Sequence, residues 1–466
     1  MRTAKLIAAL ALAAAGAVQA ATITIINRNE PGVGFNDPTP AAPIGGNSGA
    51  TLGQQRLIAF EYAASVWGAT LTSAVPIRIA ASFVPLTCTA TTATLGSAGA
   101  NDIYSDFPNA PRAGTWYPAA LASKLAGVDQ TPADAPHIVA RFNSRLGLFD
   151  DCMPKDGFYL GIDGQAGTRI DLVTVLLHEM AHGLGFQTFT NDQSGKRANE
   201  LPSVWDHYLM DNRANRTWAQ MSDAERAASA VSGAGLSWNG AAVTAAVPGL
   251  LSPMSQLMIA GPNAGAAAGP MQVGDAGFGP PLSRQAVTGE LAQLVDSPDG
   301  TGLACTPLGA DHQAVVRAKV ALVDRGTCAF VDKAKNLQAA GAIAMVVADN
   351  APGEVSDLGG ADPAITIPAV RIAQQSGVLL KAALATSGAG VSASLGVDPA
   401  RLAGTDSAGR IRMYTPSEYS PGSTVSHFST DAKRNQLMEP SISADLSHAV
   451  TAPVDLTYSL LKDIGW

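Results

Sequence analysis

The sequence predicts an α+β fold interrupted in its second half by an inserted, β-rich module. Three observations carry this expectation. Runs with β-branched alternation precede a helix-like stretch, LLHEMAHGLGF. Between about residues 273 and 396 the character changes to buried-type strand, helix and buried-type strand. The closing segment, 397–466, is too short to make a domain alone. A module inserted into a surface loop separates segments in sequence without separating them in space. Residues 21–272 and 397–466 therefore read as two parts of one domain.

Taken in order, residues 1–20 have the make-up of an export signal: Arg2 and Lys5, an apolar run from Leu6 to Val18, and Val18-Gln19-Ala20 as a cleavage site. The run is too short to span a bilayer, and no later segment qualifies. The expectation is export, without distinguishing release from periplasmic retention. The stretch ATITIIN reads as a strand and LGQQRLIAFEYAASVWGATL as a helix, with Leu57, Phe60, Ala64, Trp67 and Leu71 at helical spacing. VPIRIAASFV, PHIVARFN and GFYLGIDG read as further strands. A helix then starts near Asp171, an acidic residue suited to a helix N-terminus. In the module, AKVALVDRGTCAF, VDKAKNLQAAGA and IAMVVADN form a βαβ-like unit. VDLTYSLLKDIGW closes the chain as a helix.

Four cysteines suit an oxidising compartment. Pairing Cys88 with Cys152 and Cys305 with Cys328 is simplest, one bridge per module, although three connectivities are open. No CxxC spacing suggests a cysteine metal site. A net charge of −8 with no Lys/Arg cluster argues against nucleic acid or an anionic membrane as partner.

The chemistry concentrates at His178, Glu179 and His182. Histidines four apart on a helix project from one face and can reach one ion. Zinc at a hydrolytic site takes three protein ligands and lowers the pKa of a water from 15.7 to about 7. Glu179, beside the first histidine, is placed to move that water's proton as general base and then acid. The stretch around the three is almost wholly apolar, and burying them without a metal would be costly. Gly185 suits a helix end in the left-handed region. It also suggests the longer pattern HExxHxxGxxH, but the last position is Thr188, so the third ligand must lie elsewhere. His137, in a strand-like run, and His312, in the module, are weak candidates. His207, in SVWDHYLMD, reads as part of a helix packed through Trp205, Tyr208 and Leu209. Glu200 lies in a loop ended by Pro202, and His448 has no recognisable context. His427, in SHFSTDAKRNQLMEP, precedes a turn-like LMEP.

Two resemblances extend this reading. VALVDRGTCAFVDKAKNLQAAGAIAMVVADN, with ITIPAVRI and the preceding Cys305, resembles the protease-associated (PA) domain, a small β-rich module without catalytic residues that binds protein or restricts access. The HExxHxxGF motif, a long insertion, His427 and the LMEP turn resemble the metzincin zinc proteases, leishmanolysin in particular. That resemblance implies a metzincin-like zinc protease domain with an inserted PA domain. It implies Zn²⁺ held by His178, His182 and His427, with Met438 in a methionine turn forming an apolar floor. The expected activity is zinc-dependent endopeptidase action on proteins or peptides. The rivals are a zinc-containing binding or adhesion protein without turnover, and an enzyme using the same zinc chemistry on a non-protein substrate. A Ca²⁺ requirement, the latency mechanism and the oligomeric state are not readable from the residues.

Overall fold

The computed structural model of the protein describes residues 19–155, 157–353, 355–387 and 390–466. The expected export signal falls almost wholly outside them. Among the described residues, no helix is long and apolar enough to cross a membrane. The described residues divide into two compact units, one of residues 19–250 and 404–466, the other Leu251–Ala403.

The first unit is built on a four-stranded sheet ordered Ile23–Asn27, Ile77–Val84, Ile138–Asn143 and Gly96–Ala100. The first three strands run parallel and the last is an antiparallel edge. Helix Leu52–Thr70 starts at Thr51, whose hydroxyl accepts from Gln54 N–H. Helix Leu172–Leu184 starts at Asp171, whose carboxylate accepts from Val173 and Thr174 N–H at 2.9 and 3.4 Å. Trp67 of the first helix donates to the Leu177 carbonyl of the second at 3.1 Å. Gly183 lets the second helix approach the sheet, because a Cβ there would meet Ile138 Cγ2 at 2.3 Å. The terminal helix Thr457–Ile464 precedes Trp466, whose indole donates to the Leu184 carbonyl at 2.7 Å.

Two local expectations fail. GFYLGIDG gives only a two-residue strand, Phe158–Tyr159, paired with Ile170–Asp171. SVWDHYLMD is not a helix but a 3-10 turn, Trp205–His207, running into strand Leu209–Asp211. Buried Asp206 explains the turn. It accepts from Ser203 N–H at 2.9 Å and from the hydroxyls of Thr188 and Thr190, a side-chain alternative to helical bonding.

The second unit contains an eight-stranded sheet. Strands Val287–Gln293, Val320–Asp324, Ala344–Ala348 and Ala369–Ile372 run parallel. Val320 and Leu322 enter one apolar cluster while Ala321 and Val323 enter another. Both faces are thus covered, which is why these strands read as unbroken apolar runs. Helix Phe330–Ala339 crosses between two of them. The unit is wider than the 273–396 read from sequence. Strand Pro253–Ala260 pairs antiparallel with Ser392–Leu402 and brings the segment from 251 with it. Disulfides join Cys88 to Cys152 and Cys305 to Cys328, one in each unit.

Candidate metal centre

Helix Leu172–Leu184 carries His178, Glu179 and His182 on a face that the fold buries to 7–8% exposure. The helix stops at Gly185, with φ of +121°, and Phe186 N–H returns to the Ala181 carbonyl at 2.9 Å. Only glycine takes this conformation without strain. A Cβ there would also meet Ile464 at 2.9 Å and Pro118 at 3.0 Å.

His427 arrives from 245 residues further along the chain. Its Nε2 lies 3.2 Å from that of His178 and 3.3 Å from that of His182. Three nitrogens around a tetrahedral ion at about 2.0–2.1 Å stand about 3.3 Å apart. The spacing fits. The chemistry of the donors fits as well. His178 Nδ1 donates to the Leu437 carbonyl at 2.7 Å, His182 Nδ1 to Phe186 at 2.8 Å, and His427 Nδ1 to Ser423 at 2.9 Å. Carbonyls only accept, so each Nδ1 carries the proton and each Nε2 presents a lone pair. Three lone pairs converging in a buried site repel one another unless a cation sits among them. Burial pushes His178 down to about 4. Burial together with His178 pushes His182 down to about 3. His427 is lowered for the same reasons, so all three stay in the unprotonated form a metal needs.

Glu179 faces the edge strand. Gly96 leaves room for it, since a Cβ there would meet Glu179 Cγ at 2.9 Å. Burial raises its carboxyl to about 8, against the lowering effect of a hydrogen bond from Ala98 N–H. Met438 is fully buried, in the turn whose Leu437 carbonyl takes His178, and its own carbonyl accepts from Phe428 N–H at 2.8 Å. The turn is clamped from the far end of the chain. Asp455 accepts from Leu437 N–H at 2.7 Å and from Thr457 N–H at 2.8 Å, and Gln436 accepts from Leu456 N–H at 3.0 Å.

The other candidates lie apart from this cluster. His137 is buried and accepts from Arg78 N–H, with Asp129 on its other side. His207 meets Thr115, and Glu200 sits in a one-turn 3-10 segment. His312 is on a short helix of the second unit. His448 pairs with the helix-capping Asp171 at 2.9 Å. Thr188, at the position of the absent histidine, donates to Asp206. The sequence reading missed Asp455, Glu439 and the Asp171–His448 pair. Asp455, just ahead of the terminal helix, was the one visible signal, as an acid placed to cap it.

Residues 287–380 match the family described as PA domain, so the inserted module contains a PA domain. A stretch of 66 residues is 44% identical to the minor extracellular protease Vpr of Bacillus subtilis (strain 168), covering 14% of this chain and 8% of that one. Among solved structures, an aminopeptidase from Aneurinibacillus sp. strain AM-1 is 28% identical over 32% of this chain and 31% of its own, with a TM-score of 0.24. A peptidase M28 precursor from Shewanella amazonensis SB2B is 14% identical over 48% of this chain and 51% of its own, again at 0.24. The chain therefore spans under a tenth of the curated relative and about a third to a half of these structures.

Proposed function

We propose that this protein is an exported zinc-dependent endopeptidase with the metzincin arrangement of residues. The observation that carries the reading is the convergence of three Nε2 lone pairs, each with its Nδ1 committed to a carbonyl, beside a buried glutamate. Zinc bound by His178, His182 and His427 would supply Lewis acidity, polarising a scissile carbonyl and making a water acidic. Glu179 would be the residue to accept a proton from a water and pass it to the leaving amine nitrogen. A histidine triad fixed by backbone carbonyls needs no rearrangement to hold the ion. Strand Gly96–Ala100 is an edge of its sheet and lines the same cleft, which supports an extended peptide as substrate, paired through its main chain. Met438, in the turn that holds His178, supports the metzincin assignment. The PA domain would govern which proteins reach the cleft. The signal-like N-terminus and the two disulfides support export.

The deciding experiment is hydrolysis of casein by the zinc-loaded mature chain and by its Glu179→Ala variant. Cleavage by the first and none by the second is the expected result. Zinc retained by both with no turnover in either would favour a binding protein. Equal cleavage by both would remove Glu179 from the role of base.

A further inference from the structure

The three histidines open into a cleft of about 1100 Å³. Gly96, Ser97 and Ala98 of the edge strand line one part of it. Two stretches made only of turns and bends line others: 164–169, ahead of the motif helix, and 440–446, after the turn that bears Met438. A strand is held in place by its ladder. A wall of irregular chain is held by its side chains, and one that must be ordered each time a ligand arrives gives up part of the binding energy.

Asp445 steadies the second stretch locally. Its carboxylate accepts from Asn435 Nδ2 at 2.8 Å and its carbonyl from Arg434 at 3.2 Å, both donors lying only ten or eleven residues earlier. His448 reaches further. Its Nε2 lies 2.9 Å from Asp171 Oδ2, and because a carboxylate only accepts, Nε2 carries the proton. Asp171 uses its other oxygen, Oδ1, to cap helix Leu172–Leu184, accepting from Val173 and Thr174 N–H. One side chain thus fixes the start of the helix that carries His178 and His182 and also receives the end of the 440–446 wall. The two partners are largely withdrawn from water, at 11% and 13% exposure. Tyr62, from helix Leu52–Thr70, packs edge-on against the His448 ring at 5.5 Å between centroids.

We propose that His448 is a positioning residue of the cleft. Through Asp171 it sets where the 440–446 wall stands relative to the metal-binding helix, and so how well a polypeptide is held along that wall. This rests on the peptidase reading of the site. Substrates long enough to lie along the wall depend on His448, and short ones that reach only the metal do not.

The test compares the zinc-loaded mature protein with His448→Ala and His448→Gln. Glutamine can place an amide N–H where the imidazole Nε2–H stands, so it should keep the bond to Asp171. The substrates are a ten-residue peptide identified from a casein digest and versions of it shortened from either end. His448→Ala should raise KM for the ten-residue peptide about tenfold, the scale of one hydrogen bond to a charged group. Its kcat should stay within about twofold, as expected when only binding is lost. The KM rise should shrink as residues are removed from one end, and His448→Gln should restore the parent values, with zinc content equal throughout. Amide hydrogen exchange over 441–446 should be faster in His448→Ala and normal in His448→Gln. Should the alanine variant lose its fold, His448→Asn, too short to reach Asp171, takes its place. An unchanged KM, a rise of equal size for short and long peptides, a glutamine variant as impaired as alanine, or unchanged exchange overturns the proposal. Failure of the peptidase reading would show separately, as absence of Glu179-dependent cleavage by the parent, and the exchange comparison would then still decide whether His448 holds the wall.

Discussion

The two units differ in whether all of their buried charges are completed. In the Leu251–Ala403 unit each buried charge closes on a partner. Arg371 pairs with Asp349, which also takes Arg325 at 2.9 Å. Lys333 is fully buried and donates to the Leu303 carbonyl at 2.6 Å. In the first unit some buried charges close in the same way, Arg226 on Asp223 for one, but His178, Glu179, His182 and His427 are equally buried and converge on one cleft. Burial alone therefore does not mark a functional site. What marks it is burial that the protein leaves uncompensated.

The sharpest way to break this contrast is to remove one member of the open set. His427→Ala takes away one of three converging nitrogens and should abolish casein cleavage. Zinc should leave the variant under dialysis conditions that the parent survives, as read by metal analysis. The fold should be kept, because His427 contributes only a bond to Ser423 beyond the cluster. Full zinc retention by this variant would mean that the three histidines are not the ligands.

Removing a member of the closed set should leave the metal alone and cost stability instead. Asp349→Ala leaves Arg371, 8% exposed, without its counter-charge. Breaking a buried pair from one side costs about 3–5 kcal/mol. Denaturant unfolding should show the loss, with zinc content and Glu179-dependent cleavage at low denaturant unchanged. A loss of zinc in this variant would show that the closed set serves the metal as well.

How far each set was legible in the sequence follows from the range of its interactions. His178, Glu179, His182, Asp171 and Gly185 lie within one helix, so helical periodicity and capping chemistry expose them together. The parallel strands of the second unit were legible because an unbroken apolar run reports burial on both faces. His427 was one of several histidines by residue type, and only a resemblance singled it out. What brings it within 3.3 Å of His182 is pairing across the fold, which leaves no local periodicity. The clamp on the 436–439 turn has the same character. Asp455 is a plain acid before a helix until Leu437 N–H is seen to meet it. Asp206 misled in the other direction, since its side-chain bonds made a turn where spacing read a helix.

That clamp gives a smaller test. Asp455 accepts two N–H groups, one per oxygen, so Asp455→Asn would turn an NH₂ toward one of them. The Leu437 carbonyl that orients His178 should loosen. Outer hydrogen-bond partners of metal-binding histidines are worth about 10–100-fold in affinity. Competition with a chelator should therefore show weaker zinc binding, with Glu179 still required for cleavage. Unchanged zinc affinity would make Asp455 a fold residue only.

The smallest expected effect lies in the pH dependence of stability, and it concerns Glu439, a buried acid of the 436–439 turn that accepts from Gln436 N–H. Burial raises the folded-state carboxyl of Glu439 to about 8, above the roughly 4.3 of an unfolded glutamate. The unfolded chain gives up this proton first, so the contribution is full below about pH 4.3 and is lost as pH rises toward 8. Glu439→Gln removes the titration while keeping the bond to Gln436. Melting temperatures measured on the zinc-loaded proteins from pH 5 to 8.5 should therefore fall more steeply in the parent than in the variant, with the curves converging at the acid end. Parallel curves would mean that the carboxylate already has a compensating partner, placing Glu439 with the closed charges of the other unit.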